Sequence, residues 1–342
     1  MSRRIAVVLF NLGGPDRIEA VQPFLFNLFN DGAIIKLPQP FRWLTATLIS
    51  NLRKKTAQAI YAQMGGRSPL LEETEAQRSA LQIVLDHRLP DATVKTMIAM
   101  RYWKPFTTDA LREVDAFAPN EIVLLPLYPH YSTTTTGSSF KEWRRLYRGQ
   151  AKIHSVCCYP DDLGLTVAHA QKITEILGGR NLSDMRLVFS AHGLPESIIA
   201  AGDPYQGQIE RSAAILAERI GVADWRVCYQ SRVGPMKWIG PSTIETIEQA
   251  GRDKKAIVVV PIAFVSEHSE TLVELDLEYR ELAERSGVPL YLRAPAIGVE
   301  PAFISALGEI VAAALTKSGV CPGGGVCDAS FEQCPFRQAS AA

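Results

Sequence analysis

Three glutamates and a histidine follow the apolar run 257–260, within Phe264-Val265-Ser266-Glu267-His268-Ser269-Glu270-Thr271-Leu272-Val273-Glu274. A helix starting near Ser266 would space Glu267, Glu270 and Glu274 three and four residues apart and stack them along one face. Like charges at that spacing repel by roughly a few tenths of a kcal/mol per pair, so something must offset them. A hard or borderline cation, or protons held on the carboxylates by their mutual repulsion, would do so. Such a row suits proton or cation traffic. A solvated helix face would look the same, because an acidic first turn complements the helix dipole. A second site has to decide between the two.

That site is Leu187-Val188-Phe189-Ser190-Ala191-His192-Gly193-Leu194-Pro195. A β-branched and aromatic run ends in small residues and a histidine, then Gly and Pro punctuate the exit. His192 therefore belongs at the carboxyl end of a strand, the edge where open α/β sheets bind ligands. A lone histidine is often structural, but this position favours function. A neutral imidazole can accept a proton or hold a divalent metal near neutral pH.

Several linked motifs carry a family resemblance. Ser190-Ala191-His192-Gly193-Leu194-Pro195, Gly202-Asp203-Pro204-Tyr205, Tyr229-Gln230-Ser231-Arg232-Val233-Gly234-Pro235-Met236-Lys237-Trp238 and the Phe264–Leu272 stretch resemble the ferrochelatases in order and spacing. Asn11-Leu12-Gly13-Gly14-Pro15, Met64-Gly65-Gly66-Arg67-Ser68-Pro69, Met100-Arg101-Tyr102, Tyr128-Pro129-His130-Tyr131-Ser132 and Thr135-Thr136-Gly137-Ser138-Ser139 agree, so the likeness runs to about Leu315. It implies a lyase that inserts Fe2+ into protoporphyrin IX as the last step of haem synthesis. Two pyrrole protons must leave while a metal sheds water and enters, which calls for a base, a metal path and a means of distorting the ring.

In the resembled family the residues matching His192 and Glu270 face each other across the porphyrin, and the positions of Glu274 and Glu267 continue an acidic track. The resemblance thus implies His192 and Glu270 as catalytic and substrate-iron ligands, with Glu267, Glu274 and His268 as a proton or metal relay. His268, beside Glu267, could orient a carboxylate or make a structural hydrogen bond. Phe264 and Trp238 are candidate walls for a flat tetrapyrrole, although plain core uses the same aromatics. Tyr102, Tyr131 and Arg145 are weaker porphyrin-binding candidates, and Arg101 or Arg145 could pair with a propionate. Leu12 stands where some relatives have methionine and others tyrosine. Leucine cannot ligate a metal, and an apolar wall there favours protoporphyrin over coproporphyrin.

Cys321, Cys327 and Cys334 crowd a Gly-rich tail. A chain without a signal peptide is not expected to rely on disulfides, so these thiols read as metal ligands. Some ferrochelatases carry a 2Fe–2S cluster on a C-terminal cysteine group plus one mid-chain cysteine, and this tail resembles that arrangement. Cys158 (or Cys157) would supply the fourth thiolate. Cys228 sits within an apolar strand, where cysteine is commonly core. Gaps of five and six residues between the tail cysteines do not reproduce a tight C-x-x-C pattern, which leaves zinc or no metal open.

The elements that must position these residues alternate along the chain. Strand-like runs at 5–10, 94–99, 122–125, 153–156, 187–190, 227–229 and 257–260 are separated by helical patterns at 73–85, 168–176, 209–220 and 243–250, with a last one at 302–315. The runs are near-continuously apolar, as parallel strands covered on both faces require. The fold expected is α/β: two doubly wound Rossmann-like domains with parallel sheets, chelatase-like, with an active-site cleft between them. The turn chemistry of Tyr159-Pro160-Asp161-Asp162 puts a boundary near there, giving domains 1–160 and 161–320 and a cysteine-containing tail 321–342. Gly13-Gly14-Pro15 is not a dinucleotide fingerprint, because the third glycine is missing and proline removes an amide donor.

Length alone, 342 residues, favours two domains. Lys+Arg and Asp+Glu both number 36, so no net field attracts polyanions and nucleic-acid binding is not expected. No run of about twenty apolar residues could span a membrane, and Met1-Ser2-Arg3-Arg4 leads into a strand rather than a signal peptide. Residues 37–49 are unusually apolar and precede Arg53-Lys54-Lys55, a pairing that suits docking on an anionic membrane or, equally, a buried helix with a basic end. In the resembled family the region forms a lip at the pocket mouth. The expectation is a soluble, cytoplasmic enzyme with peripheral membrane contact. Two other classes share its features: a cobalt or nickel tetrapyrrole chelatase, and a non-catalytic tetrapyrrole-binding or iron–sulfur sensor protein. A carrier has no need for a proton and metal track.

Overall fold

Strands buried on both faces need helices on both sides, and the chain supplies them twice. The computed structural model describes residues 3–232, 234, 236–316, 327–328 and 330–335. Its strands are β1 (Arg3–Asn11), β2 (Ala92–Met100), β3 (Glu121–Pro126), β4 (Lys152–Ser155), β5 (Met185–His192), β6 (Trp225–Gln230), β7 (Ala256–Pro261) and β8 (Tyr291–Arg293). They form two four-stranded sheets, ordered β2-β1-β3-β4 and β6-β5-β7-β8, and every pairing is parallel. All seven runs read from the sequence are strands. The eighth, β8, is only three residues long at a sheet edge, too short for a periodic signal.

Of the described residues, 3–157 and 307–316 form one unit, and 158–306 with the described part of 325–342 form a second. In the first, β1 runs fully buried from Ile5 to Leu9, and Phe10 meets Phe140 and Trp143 edge-on at 5.8 Å each. In the second, period-two alternation splits the strands between two cores. Leu187, Phe189, Val258 and Val260 face one cluster, and Val188, Ile257 and Val259 the other. Both faces of this sheet are therefore dry, which explains the unbroken apolar runs. In each unit the first strand has neighbours reached in opposite directions along the chain. The crevice beyond the carboxyl ends at that reversal is where doubly wound sheets bind ligands. In the second unit it lies beyond β5 and β7, where His192 and the glutamates sit.

The acidic segment departs from the expected helix. Residues 262–268 form an irregular loop; a π-helix then spans Glu270–Glu278 and an α-helix Tyr279–Arg285. Glu267 therefore lies off the helix, and Glu270, Glu274 and Glu278 are the glutamates on it. Pro261 ends β7, and local side-chain bonds start the helix late: His268 N donates to Thr271 Oγ1 at 3.0 Å, and Thr271 Oγ1 to His268 O at 3.0 Å.

The apolar stretch read at 37–49 continues into a 23-residue helix, Phe41–Gln63, which buries only Ala46, Ser50 and Tyr61. Phe41, Trp43, Leu44, Leu48 and Leu52 are 48–71% exposed. Among the described residues no helix is long and apolar enough to cross a membrane.

Candidate active site

His192 is the last residue of β5, opposite Gln230 at the end of β6. The next position must be glycine. Gly193 N donates to Gln230 O at 2.9 Å, and a Cβ there would come within 2.9 Å of that oxygen. This close approach holds the imidazole beside the π-helix. His192 Nδ1 lies 2.8 Å from Glu270 Oε2, and its side chain remains 41% exposed. With Nδ1 engaged, Nε2 is the nitrogen that can meet a substrate.

Ser231 joins the two glutamates. Its Oγ stands 2.9 Å from Glu270 Oε2 and 2.7 and 3.0 Å from the Glu274 oxygens. One hydroxyl proton thus serves two carboxyl groups. Ser231 adopts φ +61°, a left-handed conformation that costs a non-glycine residue about 1–2 kcal/mol. Gln230 Nε2 adds bonds to Glu270 O at 3.2 Å and Glu274 Oε2 at 3.4 Å. Ser231 and Gln230 lie in a motif that the sequence reading quoted without giving them a role. Their signal was a small polar pair at a strand end before a Gly/Pro loop.

The charges divide unevenly. Burial would raise Glu270, but the facing His192 and the Ser231 hydroxyl outweigh that and hold it down to about 2. Burial and then the Glu270 charge push Glu274 the other way, up to about 8. Burial would lower His192, yet the Glu270 carboxylate overrides it and raises the imidazole. The row is then a Glu270 carboxylate that favours a proton on the facing imidazole, followed by a carboxyl group that keeps its own proton near neutral pH. Neighbouring groups pushed apart in this way are the signature of acid–base assignment.

Glu267 and His268 stand apart from that row. Glu267 Oε1 accepts from Arg293 at 2.6 Å and from Ala296 N at 2.9 Å. His268 Nδ1 accepts the Glu270 N–H at 3.0 Å, and its ring meets Phe264 edge-on at 4.5 Å. The structural hydrogen bond is therefore the one formed, to the backbone rather than to the Glu267 carboxylate. Burial lowers His268 and favours its neutral form. Trp238 and Phe264, both half-buried, belong to the same unit, and Trp238 packs on Gly193.

The remaining porphyrin candidates lie in the first unit. Leu12 is partly buried against the cluster containing Phe24, Tyr102 and Trp103. Tyr102 is 1% exposed and donates its hydroxyl to Asp31 Oδ2 at 2.9 Å. Arg101 pairs with Asp31 at 2.8 Å and bonds Ser138 Oγ at 2.7 Å, so Asp31 is the hub of a polar network that no sequence motif announced. Tyr131 is buried. Arg145 is exposed and grips Glu142 through two contacts of 2.8 and 2.9 Å.

Among the cysteines, Gln208 Nε2 donates to Cys158 Sγ at 3.4 Å and Cys327 Sγ at 3.1 Å. The tail segment is seated on glycines: Gln333 N donates to Gly202 O at 3.1 Å, and Phe331 fills the space a Gly207 side chain would take. Cys334 is buried, and Cys321 lies outside the described residues. Among the described residues no three His, Cys, Asp or Glu side chains are gathered for a metal. The chemistry of the Cys158–Cys327 pair still fits a cluster, since amide N–H groups aimed at sulfur support thiolates. Cys228 is held in the core, its thiol pushed up to about 11 by burial.

Comparison with known proteins adds an independent line. The family profile described as Ferrochelatase matches residues 4–315. A ferrochelatase of Phenylobacterium zucineum is 56% identical, covering 99% of this chain and 100% of its own length. One of Caulobacter vibrioides is 52% identical with both chains fully covered, and one of Rickettsia felis is 46% identical over 93% of this chain and 92% of its own. Among solved structures, SirB from Bacillus subtilis superposes with a TM-score of 0.55 at 13% identity, covering 91% of this chain and 95% of its own. A multi-domain Deinococcus radiodurans protein with structural similarity to chelatases gives 0.52 at 17% identity, covering 96% and 58%. These two likenesses concern the fold.

Proposed function

The chain belongs to the ferrochelatase family and inserts Fe2+ into protoporphyrin to form protohaem, and we propose that His192, Glu270 and Glu274 carry the protons this releases. Each turnover exchanges two pyrrole protons for one divalent ion, so charge balances only if both protons leave the site. His192, with its one proton at Nδ1 directed to Glu270 2.8 Å away, presents a free Nε2 to the macrocycle. Nε2 accepts a pyrrole proton, and the imidazolium so formed passes its Nδ1 proton to Glu270. Ser231, in contact with both carboxyl groups, hands the charge on to Glu274. Glu274, kept protonated at neutral pH by burial and the Glu270 charge, releases its own proton to solvent and is refilled through Ser231, which makes it the natural proton reservoir. Glu270, the carboxylate of the row, also offers the oxygen ligand that an incoming Fe2+ would exchange for water.

The observation that carries this reading is the unbroken contact from His192 through Glu270 and Ser231 to Glu274. Leu12, Tyr131, Trp238 and Phe264 are proposed as porphyrin-contacting residues, with Arg145 exposed for a propionate, whereas Tyr102 is buried and its hydroxyl is held by Asp31. The apolar wall at Leu12 supports protoporphyrin. Anaerobic insertion of Fe2+, followed by loss of porphyrin fluorescence, tests the reading. Wild type should turn over, and His192→Ala should fall by about 10²- to 10⁴-fold while still binding porphyrin. Full turnover in His192→Ala would refute it.

Two finer proposals accompany this one. Cys158, Cys327, Cys334 and Cys321 would hold a 2Fe–2S cluster, supported by the shared Gln208 donor. Such a cluster would supply a structural or iron-sensing centre, since metal insertion transfers no electrons. The enzyme is proposed to be cytoplasmic and to touch an anionic membrane reversibly. The exposed Phe41, Trp43, Leu44, Leu48 and Leu52, followed by Arg53-Lys54-Lys55, support that contact.

A further inference from the structure

A π-helix is a rare backbone form, and wide turns persist where surrounding structure supports them. Here the support converges on one side chain. Arg293, the last residue of β8, is only 8% exposed. Its Nε donates to Asp276 Oδ1 at 3.0 Å, a second nitrogen contacts Asp276 Oδ2, and a third donates to Glu267 Oε1 at 2.6 Å. Glu267 precedes the π-helix and Asp276 lies in its second half, so the two anchors bracket Glu270 and Glu274. The neighbouring Tyr291 reinforces the tie, its hydroxyl donating to Leu275 O at 2.7 Å. On the opposite side, Gln230 holds Glu270 O at 3.2 Å.

We propose that Arg293 is a positioning residue for iron insertion: by clasping Glu267 and Asp276 together it fixes where the wide helix presents Glu270 and Glu274 to His192. Glu267, read from the sequence as part of the relay, is on this account the anchor of the element that carries the relay. The inference rests on the proposed role of the His192–Glu270–Glu274 row. A planar guanidinium reaches three carboxylate oxygens from one position in a rigid fork, whereas an ammonium keeps the charge and only part of that bonding.

The same unit provides a control. Arg186, 9% exposed, pairs with Asp224 and Asp253, each at 2.8 Å, from the opposite end of its sheet. Arg293→Lys, Arg293→Gln, Asp276→Asn and Arg186→Gln would be compared by kcat, by KM for Fe2+, by porphyrin affinity from fluorescence and by Tm. Displacing the row by about an ångström predicts a fall in kcat of about 10²-fold in Arg293→Gln. Arg293→Lys, which keeps the charge, should recover to within about tenfold of wild type, with porphyrin affinity within about twofold throughout. Arg186→Gln should lower Tm and leave kcat unchanged at a temperature well below it. Unchanged kcat in folded Arg293→Lys and Arg293→Gln would overturn the proposal, as would an equal fall in Arg186→Gln. Should Arg293→Gln fail to fold, Asp276→Asn and Arg293→Lys decide by the same criterion. If His192→Ala also turns over fully, the row itself is misassigned; if only the Arg293 variants do, the clasp alone is refuted.

Discussion

Replacing Glu274 by glutamine removes the one acid in the row that the structure expects to stay protonated. Burial and the adjacent Glu270 charge raise Glu274 to about 8, whereas the unfolded chain releases that proton near pH 4.3. Between those values the native state binds one proton more than the unfolded state. Stability must then fall as pH rises through the window, by at most about 1.4 kcal/mol per pH unit. Because Glu274 shares its hydrogen-bonding serine with Glu270, about half that slope is a realistic expectation. Buried neutral histidines tilt stability the other way below about pH 6.5, as His268 and His169 both do through burial. That contribution is common to wild type and variant. The informative quantity is therefore a difference: urea unfolding at pH 5.5, 6.5 and 7.5 should show Glu274→Gln gaining on wild type by roughly 1–3 kcal/mol across the range. Infrared difference spectra should show a protonated-carboxyl band in wild type that the variant lacks. Parallel stability curves together with an unchanged band would mean that Glu274 is an ordinary carboxylate and no proton reservoir.

Ser231 separates activity from stability. Ser231→Gly relieves the left-handed strain at φ +61° but also deletes the donor shared by two carboxyl groups, so stability should change by no more than about 1 kcal/mol while kcat falls at least tenfold; retained kcat would remove the serine from the relay. The exposed helix face offers a second measurement, since Leu48→Glu with Leu52→Glu places two charges where the apolar side chains are 61% and 71% exposed. Sedimentation with anionic vesicles should fall by an order of magnitude or more, and equal binding would place the membrane contact elsewhere. At the tail, a Cβ on Gly207 would lie 2.7 Å from the Phe331 ring, so Gly207→Leu should unseat the segment. Iron and acid-labile sulfide per chain should drop in Gly207→Leu and in Cys327→Ser alike, and unchanged content in both would argue against these cysteines as ligands.

The fold class was legible in the sequence because each buried parallel strand is dry on both faces, so the strands read as unbroken apolar runs. His192 was legible for a related reason, since small residues and Gly-Pro punctuation mark where such a strand stops. β8 escaped because three edge residues make no pattern. Side-chain spacing could list Glu267, Glu270 and Glu274 as candidates, but it assumed a regular helix. Only tertiary contacts decided which of them share a row: Arg293, 26 positions beyond Glu267, draws that carboxylate aside, while Ser231 and His192 gather the other two. Local sequence determines periodicity because it acts through neighbouring turns and strands. Which proton a buried carboxylate keeps depends on charges and donors brought to it from distant parts of the chain, and folding alone places those.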